Sequence, residues 1–135
     1  MKLLKPFVVM LGMIIGVAAA ENVNAAEAGL AKPFTNVAMK TTGKWSIETR
    51  ADGNYIVLAD NFKTRGAPDL KIFLHTLAAG DIENDNAAEG LFIAELKSKK
   101  GAQEYKIPAN VNLSDYQSLV IHCEQYTKFW AAGSL

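Results

Sequence analysis

The sequence predicts an all-β fold: a single antiparallel β-sandwich or barrel-like domain of about seven or eight short strands, preceded by a signal peptide. Three observations carry this. Strand-length apolar or alternating segments recur between turn signals. No segment sustains a 3.6-residue apolar period. The chain has 135 residues, half of them apolar, 21% charged and 9% aromatic, a composition expected of about one globular domain.

Residues 1–25 read as the signal peptide. Lys2 and Lys5 supply the positive start, Phe7 to Val17 the apolar run, and Ala18-Ala19-Ala20 the small residues at a cleavage site. Cleavage is expected after Ala20 or after Ala25. The run is short for a membrane span, which needs about 20 apolar residues, so no span is expected after cleavage. No cysteine follows the run, which excludes a lipoprotein. Cutting after Ala25 removes Lys2, Lys5 and Glu21 from fourteen basic and fourteen acidic residues, leaving twelve and thirteen, a net charge of −1. Residues 26–41, rich in alanine at first, are expected to form a flexible lead. The β domain is expected over 42–135.

Trp45 to Arg50 alternates, with Trp45, Ile47 and Thr49 on one face and Ser46, Glu48 and Arg50 on the other. Asp52-Gly53 marks a hairpin into a second strand, Tyr55 to Ala59. Thr64 to Asp69 is a turn-rich loop. Leu70 to Leu77 places Leu70, Ile72 and Leu74 opposite Lys71, Phe73 and His75. Ala78 to Gly90, polar and glycine-bearing, reads as a surface loop. Leu91 to Leu96 and Gln103 to Ile107 are further strands, the latter stopped by Pro108. Ser114 to Gln117 suggests one helical turn opened by a capping serine. Leu119 to Glu124 is β-rich, and Phe129-Trp130 begins a short last strand.

The balanced charge points to no nucleic-acid partner. One cysteine excludes an internal disulfide framework and a zinc site built mainly from cysteines. No nucleophile elbow, phosphate loop or zincin motif is present. Asp81 to Asn86 begins like a calcium loop, but Asn86 and Phe92 stand where an EF-hand needs Gly and Glu. A blue-copper site lacks a histidine or methionine after Cys123, and covalent c-type haem lacks its Cys-x-x-Cys-His.

Cys123 is the candidate functional residue. On an exported chain a lone thiol must be hidden, occupied or reactive. The alternation Leu119, Ile121, Cys123 puts its sulfur on the apolar face, either as a small core hydrophobe or as a redox thiol or ligand. His122 points to the opposite face, which argues against a Cys-His dyad and for a half-exposed sheet residue. His75 is the other histidine. It joins Cys123 as a candidate cofactor-binding residue if its strand lies opposite. No metal site is expected.

Three segments resemble the DM-thirteen domain, also called the electron-transfer DM domain and often found beside DOMON domains. The first is Asp60-Asn61-Phe62-Lys63-Thr64 with Ala67-Pro68-Asp69-Leu70-Lys71-Ile72-Phe73-Leu74. The second is Leu96-Lys97 with Gly101 to Pro108. The third is Tyr116 to Glu124 with Tyr126 and Leu135. The resemblance implies a small extracytoplasmic β domain with a nearly invariant cysteine, here Cys123. It further implies redox or electron transfer through a bare thiol or a bound group such as haem. Two departures are His122, where a Trp before the cysteine is common, and Trp130, where a Phe is usual.

The expectation is therefore a periplasmic or secreted electron-transfer domain using Cys123, monomeric, with an unidentified protein or redox partner. The alternative is a non-catalytic extracytoplasmic binding or surface module with Cys123 in the core and Trp130 and Tyr126 as exposed anchors. A third reading is a dimer bridged through Cys123.

Overall fold

A computed structural model describes residues 27–135. The expected signal peptide lies outside the described residues. The strands are β1 (Glu27–Ala28), β2 (Lys32–Pro33), β3 (Asn36–Val37), β4 (Thr41–Thr42), β5 (Lys44–Arg50), β6 (Gly53–Leu58), β7 (Lys63–Thr64), β8 (Leu70–His75), β9 (Leu91–Glu95), β10 (Gln103–Lys106), β11 (Ser118–Cys123) and β12 (Lys128–Ser134). Among the described residues no helix is long and apolar enough to cross a membrane.

The strands form two five-stranded antiparallel sheets and one two-stranded sheet. The first sheet runs β1-β5-β6-β10, with β2 also paired to β5. The second runs β3-β12-β11-β8-β9. The third is β4-β7. Alternation sets which side chains meet. Trp45, Ile56, Leu58 and Tyr105 of the first sheet pack with Ile72, Leu74, Leu119, Ile121 and Cys123 of the second in one core. The all-β expectation is met.

The hairpin between β5 and β6 forms as its turn residues predict. Arg50 pairs with Gly53 across Ala51-Asp52, and Gly53 takes φ +137°. The single helical turn is a 3-10 turn at Leu113–Asp115, one residue earlier than expected. Its cap is the Asn112 side chain, which accepts from the Ser114 amide, rather than Ser114 itself. The last strand is longer than its opening Phe129-Trp130 suggested, because β12 runs on through Ala131, Ala132 and Gly133 between β3 and β11. Residues 27–41 belong to the stretch expected as a flexible lead. They carry β1, β2, β3 and the first residue of β4, held by partners far along the chain.

The second sheet is covered on both faces. Ala79, Ile82 and Ala87 of the 78–90 segment pack with Phe73, Val120, Phe129 and Ala132 in a second core on the outer side. The segment is pinned by polar contacts. The Asn36 side-chain amide donates to the Ala79 and Ile82 carbonyls at 2.9 and 3.1 Å, and the Phe129 amide donates to the Asn84 side chain at 2.9 Å. A run of Asp, Asn and Gly hides three apolar residues that dip into the sheet. The expected surface loop is therefore half surface and half lid.

Gly133 shows how tightly the first core closes. A Cβ there would lie 2.6 Å from Trp45 Nε1 and 2.9 Å from the Pro33 carbonyl oxygen. That same indole N–H donates to Pro33 at 3.2 Å, and Trp45 is only 1% exposed. Gly133→Ala is expected to push the indole off its acceptor and to destabilise by about 1–3 kcal/mol through overpacking. A lowered urea midpoint with unchanged slope checks it.

Candidate functional site

Cys123 is the last residue of β11. Its register partner on β8 is Leu70, and on β12 it is Lys128. The sulfur belongs to the first core, is fully buried, and has no disulfide partner. One residue later the chain turns at the surface through Glu124–Thr127. The Thr127 amide closes the turn on the Glu124 carbonyl at 3.1 Å. Thr127 sits at φ +48°, a left-handed conformation that a β-branched residue adopts at a cost. Two contacts tie this turn to β8. Lys71 forms ion pairs with Glu124 and with Asp69 (3.5 Å), and the Glu124 amide donates to the Asp69 carbonyl at 3.1 Å.

Next to it, His122 is 1% exposed rather than half-exposed. Alternation sends its ring to the outer face of the sheet, but the 78–90 segment covers that face. The Phe73 ring meets it edge-on with centroids 6.3 Å apart. Its Nδ1 has no hydrogen-bond partner among the described residues. Burial holds the imidazole below its ordinary value of 6.5, with Glu124 and Asp69 opposing the shift. A register shift does occur in β11–β12, between Ile121 and His122, and its extra residue is Trp130 on β12. Trp130 lies in the inner core at 5% exposure, with its indole N–H donating to the Arg65 carbonyl at 3.0 Å. Trp130 is therefore a core residue, not an exposed anchor. Tyr126, at 61%, is exposed.

His75 does not join Cys123. Its strand is the direct neighbour of β11, not a strand facing it. Ser118 pairs with His75 and Cys123 with Leu70, so the two are five register steps apart, about 17 Å at strand rise. They also project from opposite faces. His75 is buried and both ring nitrogens are used: Nδ1 accepts from the Leu77 amide at 3.0 Å, and Nε2–H donates to the Asn86 carbonyl at 2.9 Å. It pins the 78–90 segment to β8. The reading of His75 as a cofactor ligand is corrected by this geometry.

The fit to haem is poor for the same reason. Four surface clefts of the described residues include neither Cys123 nor His75 in their lining. One of them, about 310 Å³, lies between the 66–70 and 95–99 segments and has Leu70, the register partner of Cys123, among its walls with Ala67 and Leu96. Those three side chains belong to or pack on the core that holds Cys123. The sulfur itself is fully buried and lines no part of that cleft. The residues present offer iron no open axial donor at Cys123.

Two expectations follow. Haemin added to the full chain is expected to give no Soret shift that depends on Cys123; a shift abolished in Cys123→Ala would contradict the packing. The second concerns acid. Because His122 is held neutral in the fold, the unfolded chain binds its proton first as pH falls. Stability is therefore expected to fall as pH drops below about 6.5 and to be insensitive to this group above it. In His122→Phe this part of the slope is expected to vanish, measured as the difference in urea midpoints between the two chains across pH 7.5 to about 5.

Among known families, residues 33–135 match the one described as electron transfer DM13. No curated protein and no solved structure matches the chain. The match starts within the 26–41 segment, before the expected domain boundary, consistent with β3 pairing to β12. It covers the whole of the second sheet, which carries Cys123, and on that match the chain belongs to the electron transfer DM13 family.

Proposed function

We propose that this chain is an exported electron-transfer domain, periplasmic or secreted, whose redox group is the Cys123 thiol, closed in the resting fold. The carrying observation is the position of that thiol within an electron-transfer family domain. It is the sole cysteine, and it ends its strand one residue from an exposed, strained turn. Exposing it needs only the tip of the β11–β12 hairpin to part from Leu70, not the whole core. The apolar leader at the N-terminus supports export.

In the open state the deprotonated sulfur exchanges with a disulfide of a partner protein. A new S–S bond forms to Cys123 as the partner's S–S bond breaks, and the released partner sulfur leaves as a thiolate carrying the electron pair. Closed packing then limits when this can happen. Reactivity is gated by local opening, since solvent and small oxidants do not reach a fully buried sulfur.

One observation favours a second reading. Full burial without a cavity is also what a purely structural cysteine shows, and the domain would then be a binding module with Cys123 as core. The two readings differ in how the thiol opens. Glu124→Gln removes one of the ties that Lys71 makes to the turn. The redox reading expects this change to raise the thiol labelling rate several-fold, with the urea midpoint nearly unchanged, since exposed ion pairs are worth about 0–1 kcal/mol. Labelling at the global unfolding rate in both chains would establish the structural reading instead. Stopped-flow labelling with an aromatic disulfide reagent makes the measurement.

A further inference from the structure

The two-stranded sheet β4–β7 has one polar inner side and one charged outer side. Thr41 and Thr64 point inward, buried, with their hydroxyls 2.6 Å apart. Alternation then sends Lys40 and Thr42 outward on one strand, and Lys63 and Arg65 outward on the other, all exposed. A third segment adds to this face. Lys63 bridges Lys100, and the Thr64 amide donates to the Lys99 carbonyl at 2.8 Å. Lys99 and Lys100 are exposed as well. Five cations, distant in sequence, thus share one surface.

None of the five has an ion-pair partner among the described residues. The ion pairs there are Arg50 with Glu48 and Glu104, Lys71 with Asp69 and Glu124, and Lys106 with Asp52. The mature chain is expected to be nearly neutral, so this is a local concentration and not a general excess. The surface is also concave: a cleft of about 580 Å³ is lined by Lys40, Thr42, Lys63, Thr64 and Arg65. Unpaired cations around a cleft attract and steer an anionic partner. The Arg65 guanidinium suits a carboxylate by paired hydrogen bonds, and the exposed Thr42 hydroxyl adds a neutral donor.

We infer that this cleft is a docking surface for an acidic segment of a partner protein. A membrane surface is less well matched. The exposed large apolar residues, Leu30, Val37, Leu77, Phe92 and Tyr126, are absent from the cleft lining, whereas interfacial binding buries apolar side chains beside the cations. The cleft uses charge and shape and does not use the thiol, so it stands apart from the redox reading. Its lining ends at Arg65, next in sequence to Gly66 of the cleft that includes Leu70, Lys97 and Lys99.

The test uses the full chain and a fluorescent decaglutamate peptide. Binding is expected, weakening at least roughly tenfold as salt rises from about 20 to about 200 mM. The double variant Lys63→Glu with Arg65→Glu is expected to lose at least roughly tenfold in affinity, and the milder Lys63→Gln with Arg65→Gln to lose part of that. Circular dichroism of both variants should match the parent, since both side chains are exposed. Lys106→Glu, a reversal outside the patch, and Cys123→Ser, which removes the thiol, are each expected to keep binding. Equal affinity in the parent and both double variants would overturn the inference. So would binding to phosphatidylglycerol vesicles, sensitive to the same variants, without binding to the peptide. Failure of the thiol experiment leaves this outcome unchanged, because Cys123→Ser reports on the cleft alone.

Discussion

The constraint on which the rest depends is that β11 is buried on both faces. It sits inside its sheet between β8 and β12, with the first sheet packed on one side and the 78–90 segment on the other. All six of its residues are buried as a result. Fully burying each aliphatic side chain contributes roughly 1.5–3 kcal/mol, so Leu119, Val120 and Ile121 form a strong spine. The same geometry sorts the polar side chains. Ser118 donates to the Leu77 carbonyl at 2.8 Å, His122 keeps one nitrogen without a partner, and Cys123 occupies the end of the inner row. Adjacent positions on one strand therefore face two separate interiors, and the histidine and the thiol cannot act on one another.

Chemistry in such a strand has to come from its ends. Cys123 lies where the double cover runs out, beside a turn with a strained threonine and two ties to β8. The sulfur at that position is fully buried and lines none of the four clefts described above. Strain near a functional group is a common arrangement, stabilised by the structure around it. The cationic cleft is formed by β4 and β7, two-residue strands that bury only the threonine pair Thr41 and Thr64.

Much of this was legible in the residues. Alternation and turn chemistry located β5, β6, β8, β9, β10 and β11, because each of these has a one-sided or continuous apolar pattern that only a strand satisfies. The short strands β1 to β4 and β7 were not legible: two residues cannot show a period, and their pairing is dictated by distant partners. The 78–90 segment misled because composition averages over its residues, while Ile82 and Ala87 alone decide that it is a cover. That error carried directly into His122, whose facing was read correctly and whose burial was not. Trp130 was misread because β12 is an interior strand, paired on both edges by distant segments, and nothing local in the sequence marks that. His75 was placed on the right face, yet only the register shows that it lies far from Cys123 along the sheet. The basic surface was invisible to any count of net charge, since Lys40 and Lys63 meet through the β4–β7 pairing and Lys99 joins them through the contacts of β7 with the 99–100 segment.

One topological fact bears on how the chain comes to be folded at all. β12, the last strand, is not an edge but an interior member of its sheet, flanked by β3 from near the beginning and by β11. As residues emerge in order from a ribosome, β3 has no partner in that sheet until β12 is out. Contacts of such long sequence separation form slowly and late. Closure of the second sheet thus waits on the last of the described strands, and a chain held short of β12 would leave β3 and one edge of β11 unpaired.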